Sequence, residues 1–243
     1  RDQKQEPFNV ETLLPASRLA SRFSDQKELS VPKEYDDFLN QFPDGSILVA
    51  FGTTWAPTDD MIKVLIDAAK RMPNNGFIFS LKERYSTYSI VKDAKLPNIF
   101  LKKFVPQKEL LNDKRVLSFV THGGANSILE SLYYGKALLG FPISADQGGS
   151  CYRIELMGAG ISLQSSPSTE MIVDSFKAIM NDPENNVYQL AIKRIQKMIE
   201  FKELRGGKDL AYHLKRIVKF TEWGGIGSRH LVKVKSLPLP WGN

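Results

Sequence analysis

The chain has 243 residues, of which 42% are hydrophobic and 25% are charged, as is ordinary for a globular protein. Its 33 Lys and Arg residues outnumber its 27 Asp and Glu residues, so the net charge is +6. A single cysteine excludes an intrachain disulfide framework, and three histidines leave little material for a metal site; we expect no metal and no cofactor. No apolar run approaches the roughly 18 to 20 residues of a membrane span.

The amino-terminal segment is polar and has no signal-peptide pattern. Because the chain begins at Arg1, we expect it to be a processed or excised piece of a longer protein. Residues 1–30 contain Pro7, Pro15 and only scattered apolar positions, which predicts a linker or an arm.

Six short apolar runs predict buried strands. They are Ser46–Phe51, Phe77–Leu81, Asn98–Lys103, Val116–Val120, Ala137–Phe141 and Gly160–Leu163. Helical patterns separate most of them, at Met61–Met72, Lys108–Asp113, Ser127–Gly135 and Ser150–Met157. Strands that alternate with helices predict βαβ units, and therefore an α/β, Rossmann-like parallel sheet with helices on both faces.

In the carboxyl-terminal part of the sequence, helices follow one another without strands between them. Three successive helices are predicted at Thr169–Met180, Pro183–Phe201 and Lys208–Trp223, so we place one domain over residues 31–223. Residues 224–243 form a basic tail with Pro238 and Pro240. Residues 193–235 hold twelve Lys or Arg and four Asp or Glu, which raises the alternative of an anion-binding or nucleic-acid-binding surface. Because these charges are mixed on helices, a solvated face is the better interpretation, and we expect no nucleic-acid partner.

Three predicted strands end in polar loops. The first runs into Gly52 and Thr53, the fourth into the loop from Thr121 to Ser127, and the fifth into the loop from Pro142 to Gln147. The carboxyl ends of parallel strands meet at one edge of a sheet, where ligands bind. We therefore expect the three loops to lie together.

The loop after the fourth strand predicts an anion site. Gly123 and Gly124 allow the backbone to approach a ligand, and a helix that starts near Ser127 points its N–H groups at the same place. His122, Asn126 and Ser127 add side-chain donors, which suits a phosphate or diphosphate. The alternative is structural: Asn126 or Ser127 caps the helix, and Glu130 completes a capping box.

Other residues near these loops suit the rest of a nucleotide sugar. The Glu130 carboxylate can accept hydrogen bonds from two vicinal hydroxyls, such as those of ribose. Asp146 and Gln147 offer an acceptor and an amide to sugar hydroxyls. Phe104 and Gln107 offer an aromatic plate and an amide to a base, although for Phe104 alone a place in the core is the more common outcome.

The segment Phe104–Gln147 resembles the signature of the UDP-glycosyltransferases, the family that includes the animal UDP-glucuronosyltransferases. The shared pattern is F-x-P-Q, then T-H-G-G-x-N-S, a Glu, and finally D-Q, at fixed spacings. The flanks agree from about Val31 to Leu231. The resemblance implies the carboxyl-terminal, UDP-sugar-binding half of a GT-B fold.

The resemblance also implies roles for individual residues. Phe104 would stack on uracil, Gln107 would touch uracil or ribose, and Glu130 would hold the ribose hydroxyls. Asp146 and Gln147 would bind the donor sugar. The diphosphate would be surrounded by Thr53, His122, Gly124, Asn126 and Ser127. Gly148, Gly149 and Ser150 depart from the family's pattern, which leaves the choice between glucose and glucuronate open.

The implied reaction is inverting and metal-independent, and moves a hexose or glucuronate from UDP to the hydroxyl of a small lipophilic acceptor. The catalytic base of the family lies in its N-terminal, acceptor-binding domain, so no catalytic residue is assigned and the chain is expected to be inactive without that domain, in cis or in trans. The parent protein would be anchored in the endoplasmic reticulum membrane, with a lumenal domain, if animal-like, and cytoplasmic otherwise. An alternative is a natural donor-binding subunit of a two-chain enzyme.

Overall fold

A six-stranded parallel sheet forms the centre of the computed structural model, in the order β3-β2-β1-β4-β5-β6. The structure describes residues 29–52, 56–143, 145–163, 166–181, 186–197 and 199, apart from the side chains of residues 145 and 146. The strands are β1 (Ser46–Ala50), β2 (Gly76–Ser80), β3 (Ile99–Lys102), β4 (Val116–Thr121), β5 (Ala137–Gly140) and β6 (Gly160–Ser162).

All six strands lie where the apolar runs predict them. Every residue of β1 is buried, as expected for a central strand of a parallel sheet that is covered on both faces. The chain moves from β1 outward to β3 and then returns across β1 to β4. Since crossovers are right-handed, this reversal places helices on both faces. The predicted α/β, Rossmann-like fold is confirmed.

Eight helices are described. They are α1 (Lys33–Leu39), α2 (Asp59–Arg71), α3 (Ser86–Ala94), α4 (Gln107–Asn112), α5 (Ala125–Tyr133), α6 (Ala145–Leu156), α7 (Thr169–Met180) and α8 (187–197). Helix α2 packs against α3 and α7, α4 packs against α5, and α6 packs against β6. The first turn of α2 is stabilised by Thr58, whose side chain accepts a hydrogen bond from the Met61 amide at 3.2 Å.

Sequence analysis missed α1 and α3. Helix α1 buries Tyr35, Phe38 and Leu39, and Phe38 stacks on Phe100 of β3 with 5.0 Å between the ring centroids. Seven residues directly after Pro32 are too few to show a clear helical period. Helix α3 buries only Thr87 and Val91 and is otherwise polar, so its periodicity is also weak.

Some predicted segments lie wholly or partly outside the described residues. The arm at residues 1–30 is described only at its last two positions, and the predicted helix Lys208–Trp223 and the tail 224–243 are not described at all. Helix α8 falls within the predicted helix Pro183–Phe201. The domain bounds 31–223 stay a prediction.

A buried lysine lies at the amino edge of the sheet, opposite the predicted site. The Lys136 residue is 8% exposed, and its Nζ donates a hydrogen bond to the carbonyl oxygen of Asp113 at 2.8 Å. Burial lowers the pKa of Lys136 to about 8, from its ordinary value of 10.5, although the nearby carboxylate of Asp113 opposes this effect. Between these two pH values the unfolded chain binds more protons than the folded chain.

Stability should therefore depend on pH through Lys136. Below pH 8 the buried ammonium costs its full desolvation penalty, and this cost disappears as the pH rises from 8 towards 10.5. We expect the free energy of unfolding of the wild type, minus that of Lys136→Met, to increase by about 2.5 kcal/mol from pH 7 to pH 10. Denaturant titrations at both pH values measure this shift. Lys63→Met, which removes an exposed lysine of α2, is the control, and its free energy of unfolding should differ from that of the wild type by the same amount at both pH values. A difference for Lys136→Met that is also independent of pH would contradict the prediction.

Candidate functional site

The predicted site residues lie at the point where the strand order reverses, between β1 and β4. Val49 of β1 is paired with Val120 of β4, so the two strands end side by side. Gly52 follows β1 and His122 follows β4 at this edge. A crevice outside the carboxyl ends of parallel strands at such a reversal is the usual ligand site of a doubly wound fold.

The imidazole ring of His122 is packed between two glycines. A Cβ atom on Gly52 would lie 2.8 Å from Cε1 of His122, and a Cβ atom on Gly124 would lie 2.6 Å from its Nε2. On the other side, Nδ1 lies 3.4 Å from the hydroxyl oxygen of Thr121. Both glycines are therefore needed for the ring to reach this position, directly beside the start of α5.

Helix α5 begins two residues earlier than the sequence predicts. Gly124 is the N-cap residue and Ala125 the first helical residue, so Asn126 and Ser127 lie inside the first turn. The alternative in which Asn126 or Ser127 caps the helix with Glu130 is therefore wrong. Gly124 has no side chain that could cap the helix, and the first N–H groups of α5 and its positive end point towards the crevice.

Glu130 is buried on the next turn of α5. The residue is only 6% exposed, and its Oε2 accepts a hydrogen bond from Nε2 of Gln107 at 2.7 Å. Gln107 is the first residue of α4, which packs against α5. The structure thus brings together two residues that are far apart in sequence and that were predicted to share one site.

Phe104 lies on the surface, because its residue is 78% exposed. This exposure excludes the alternative in which Phe104 belongs to the core. Its backbone is tied to α1, since the Tyr35 hydroxyl donates to the Phe104 carbonyl oxygen at 3.5 Å. Burial is also the main reason that the pKa of Tyr35 is raised to about 12. An exposed aromatic plate three residues before Gln107 is available to a planar ligand.

The loop predicted to carry Asp146 and Gln147 is instead the start of a helix, since α6 begins at Ala145 rather than at Ser150. Gln147 is 5% exposed, and its Oε1 accepts a hydrogen bond from the Ile143 amide at 2.9 Å. This bond ties the start of α6 to the residues that follow β5. The side chain of Asp146 and the whole of Thr53 lie outside the described residues.

Cys151 is a residue of the site that sequence analysis did not identify. A Cβ atom on Gly123 would lie 2.4 Å from its Sγ, and one on Gly140 would lie 2.6 Å from it, so the thiol fills the space between two glycines. Burial raises the pKa of Cys151 to about 11, which keeps the thiol protonated at neutral pH. Its spacing of four from Gln147 on one helix was the available signal, because such residues share a face.

Gly123 joins the loop after β4 to helix α6. Its φ is +85°, and a Cβ atom would also lie 3.2 Å from the carbonyl oxygen of Gln147. The turn that carries His122 is therefore in direct contact with the turn that carries Gln147. This contact brings together the turns of His122, predicted for the diphosphate, and of Gln147, predicted for the sugar.

Two surface clefts of the described residues lie at the opposite edge of the sheet. One of about 570 Å³ is lined in part by Asp36, Glu109 and Arg115, and Arg115 directly precedes β4. Arg115 forms ion pairs with Asp36 and Asp113 there. Within the described part of the chain, no cluster of three His, Cys, Asp or Glu side chains is arranged to hold a metal ion. None of the helices described has the length and apolarity needed to span a membrane.

Residues 11–200 match the sequence family described as UDP-glucoronosyl and UDP-glucosyl transferase. The chain belongs to this family. The match begins upstream of Val31, where the sequence resemblance starts. UDP-glucuronosyltransferase 3A1 of Mus musculus is 29% identical over 189 residues, which cover 76% of this chain and 35% of the mouse protein. The chain thus spans about a third of the length of this curated relative.

Solved structures of glycosyltransferases share the fold. Os79 of O. sativa, solved in complex with U2F and trichothecene, superposes with a TM-score of 0.68 at 20% identity, over 86% of this chain and 53% of that chain. A UDP-glucose: anthocyanidin 3-O-glucosyltransferase in complex with UDP gives a TM-score of 0.63 at 20% identity, over 76% of this chain and 44% of the other. The sheet of this UDP-glycosyltransferase family member is therefore that of GT-B glycosyltransferases.

Proposed function

We propose that the chain is the UDP-sugar-binding half of an inverting glycosyltransferase, which transfers a hexose or glucuronate from UDP to the hydroxyl of a small lipophilic acceptor. The observation that carries this proposal is the start of α5, where the uncapped helix N-terminus and His122 lie together at the strand-order reversal. Two structural neighbours were solved in complexes described with UDP or U2F, which supports a uridine nucleotide as the ligand.

The diphosphate binds at the start of α5. Backbone N–H groups of the first turn and the His122 ring donate hydrogen bonds to its oxygens, and Asn126 on the exposed side of the turn adds a side-chain donor. The same groups stabilise the negative charge that develops on UDP as it leaves during transfer. No metal is required for this role, because the helix end and the donors supply the compensating charge.

The nucleoside and the sugar extend from this point in two directions. Glu130 holds the ribose hydroxyls, and the exposed ring of Phe104 stacks on uracil. Asp146 and Gln147, at the start of α6, lie next to the donor sugar. An N-terminal domain, in cis or in trans, supplies the acceptor pocket and the base that removes the proton of the acceptor hydroxyl.

Calorimetry with the 243-residue chain tests the proposal. We expect saturable binding of UDP and UDP-sugars. UMP should bind more weakly, because it has one phosphate fewer to bind at the N-terminus of α5. The affinity should fall only mildly with salt, whereas nucleic-acid binding would fall steeply. Absence of binding at millimolar UDP, with the chain shown to be folded by circular dichroism, would refute the proposal.

Phe104→Ala should weaken UDP binding by about 1 to 3 kcal/mol, the scale of base–aromatic stacking. Phe104→Trp should bind at least as well as the wild type, because the indole is a larger plate. Neither variant should change the melting temperature much, since Phe104 is 78% exposed. Val187→Ala removes another exposed apolar side chain and is the matched control. If Phe104→Ala and Val187→Ala bind UDP equally well, uracil does not stack on Phe104.

A further inference from the structure

Two helices, α6 and α8, expose large apolar side chains to solvent. On α6, Tyr152 is 56% exposed and Leu156 is 61% exposed, and their spacing of four places both on one face. On α8, Val187 is 72% exposed and Leu190 is 44% exposed, and a spacing of three again places the pair on one face. A single exposed apolar residue is ordinary, but a group of them marks a surface that binds a partner.

The two pairs lie near each other because the end of α6 contacts the start of α8. A Cβ atom on Gly158, two residues after α6, would lie 3.4 Å from Cβ of Ala191. Leu156 precedes this contact by two residues, and Val187 lies one turn before Ala191 on the same face of α8. We call Tyr152, Leu156, Val187 and Leu190 the apolar patch. Since β6 begins at Gly160, the contact lies at the amino edge of the sheet, away from the proposed UDP site.

The exposed face of α8 continues from the apolar patch into a basic cluster. Lys193, Arg194 and Lys197 are exposed, and they follow Leu190 at spacings of three, four and seven, so they share its face. Residues 187–197 contain no Asp or Glu. The isoleucines of α8 are buried on the opposite face. The outward face of α8 is therefore apolar in its first turn and basic in the turns that follow.

This combination favours a lipid bilayer over other anionic partners. Helices that lie on a membrane surface combine apolar side chains, which enter the boundary of the acyl chains, with Lys and Arg, which meet anionic headgroups. A nucleic acid would pair with the basic cluster but would leave the apolar patch in water. Glu155 is exposed on α6 beside the patch, but the three cations of the basic cluster outnumber it.

We propose that the apolar patch and the basic cluster together dock on the surface of a bilayer that contains anionic lipids. Both helices lie on this surface and do not cross it. The docking surface is at the amino edge of the sheet, whereas the proposed UDP site is at the carboxyl edge. Docking and UDP binding therefore do not depend on each other, and the two proposals can fail separately.

Co-sedimentation of the 243-residue chain with vesicles tests the basic cluster. The vesicles contain phosphatidylcholine alone or an equimolar mixture with phosphatidylserine. We expect Arg194→Gln with Lys197→Gln to weaken binding to the mixed vesicles at least about tenfold, because each cation near an anionic surface contributes about fivefold. Lys63→Gln with Lys70→Gln removes the same charge from exposed residues of α2 and should change the affinity less than about twofold. The two double variants have the same net charge, so their difference isolates the position of the cations.

A second pair of variants tests the apolar patch. Leu156→Ser with Val187→Ser should weaken binding to the mixed vesicles at least about tenfold, because two aliphatic side chains no longer enter the bilayer. Met171→Ser, which removes a 46% exposed side chain of α7, should leave the affinity unchanged. Melting curves and UDP titrations on every variant show that it is folded.

Three results would overturn the proposal. An equal loss in both pairs of charge variants would show attraction by net charge alone. Unchanged vesicle binding after Leu156→Ser with Val187→Ser, together with equally tight binding of a DNA duplex by the wild type, would show a surface for polyanions and not for a bilayer. Absence of binding between the folded wild type and the mixed vesicles would refute docking outright, and UDP binding by the same sample would leave the proposed function intact.

Discussion

Gly123→Ala should destabilise the chain by about 2 to 5 kcal/mol and abolish measurable UDP binding. Two costs combine at this position. A φ of +85° is rarely adopted by residues with a Cβ atom, and the new methyl group would lie 2.4 Å from Sγ of Cys151. Left-handed backbone costs an alanine roughly 1 to 2 kcal/mol, and overpacking typically adds about 1 to 3 kcal/mol.

The two costs can be separated by a second substitution. Cys151→Ala removes the sulfur and should therefore restore part of the stability of Gly123→Ala, but not the part that comes from φ. Denaturant titrations of both single variants and of the double variant measure the coupling, which we expect to be at least about 1 kcal/mol. Additive effects would show that the thiol does not restrict this turn.

Gly148→Ala is the matched control for Gly123→Ala. Gly148 also lies beside the site, at the start of α6, but a Cβ atom there would meet nothing within 4 Å. Because alanine favours the helix more than glycine does, this variant should be neutral or up to about 1 kcal/mol more stable. A loss of stability in Gly148→Ala as large as that in Gly123→Ala would contradict the packing described for the two glycines.

The strands could be predicted from the sequence because burial on both faces leaves continuous apolar runs, as in Phe77–Leu81. The residues at which the helices of the site begin could not be predicted in this way. Both α5 and α6 begin among glycines, at Gly124 and near Gly148 and Gly149, and glycine is a poor helix former. The prediction therefore moved each start to the next serine.

Contacts between residues that are distant in the chain also could not be predicted from the sequence. The position of His122, Gly123 and Gly124 at the end of β4 was predictable because these residues are adjacent in the chain and follow a buried strand. The bond between Gln107 and Glu130 and the packing of Cys151 against Gly123 instead depend on how helices lie on the sheet. The exposure of Phe104 was ambiguous for the same reason: an aromatic residue after a strand is compatible with both core and surface.

His122 is the histidine in the described part of the site, and it is therefore a candidate base for sugar transfer. The position of its ring instead favours a role in diphosphate binding. His122 is packed on Gly52 and Gly124 beside the start of α5, which is the diphosphate side of the proposed donor. A general base must lie within hydrogen-bond reach of the acceptor hydroxyl, which attacks the sugar from the side opposite to the leaving UDP in an inverting transfer. We therefore propose that His122 donates to UDP and does not serve the acceptor.

The 243-residue chain should consequently bind a UDP-sugar but transfer none of it to a phenolic or other lipophilic acceptor. Product formation is followed by mass spectrometry in samples whose UDP binding has been measured in parallel. His122→Ala should weaken UDP binding, because the diphosphate loses a donor. Adding the N-terminal domain of a family relative, fused or as a separate chain, should restore transfer, since it supplies the base. The opposite result would be product formation by the chain alone that His122→Ala abolishes without a change in UDP affinity. His122 would then be the base, and the assignment of the base to a separate N-terminal domain would be wrong.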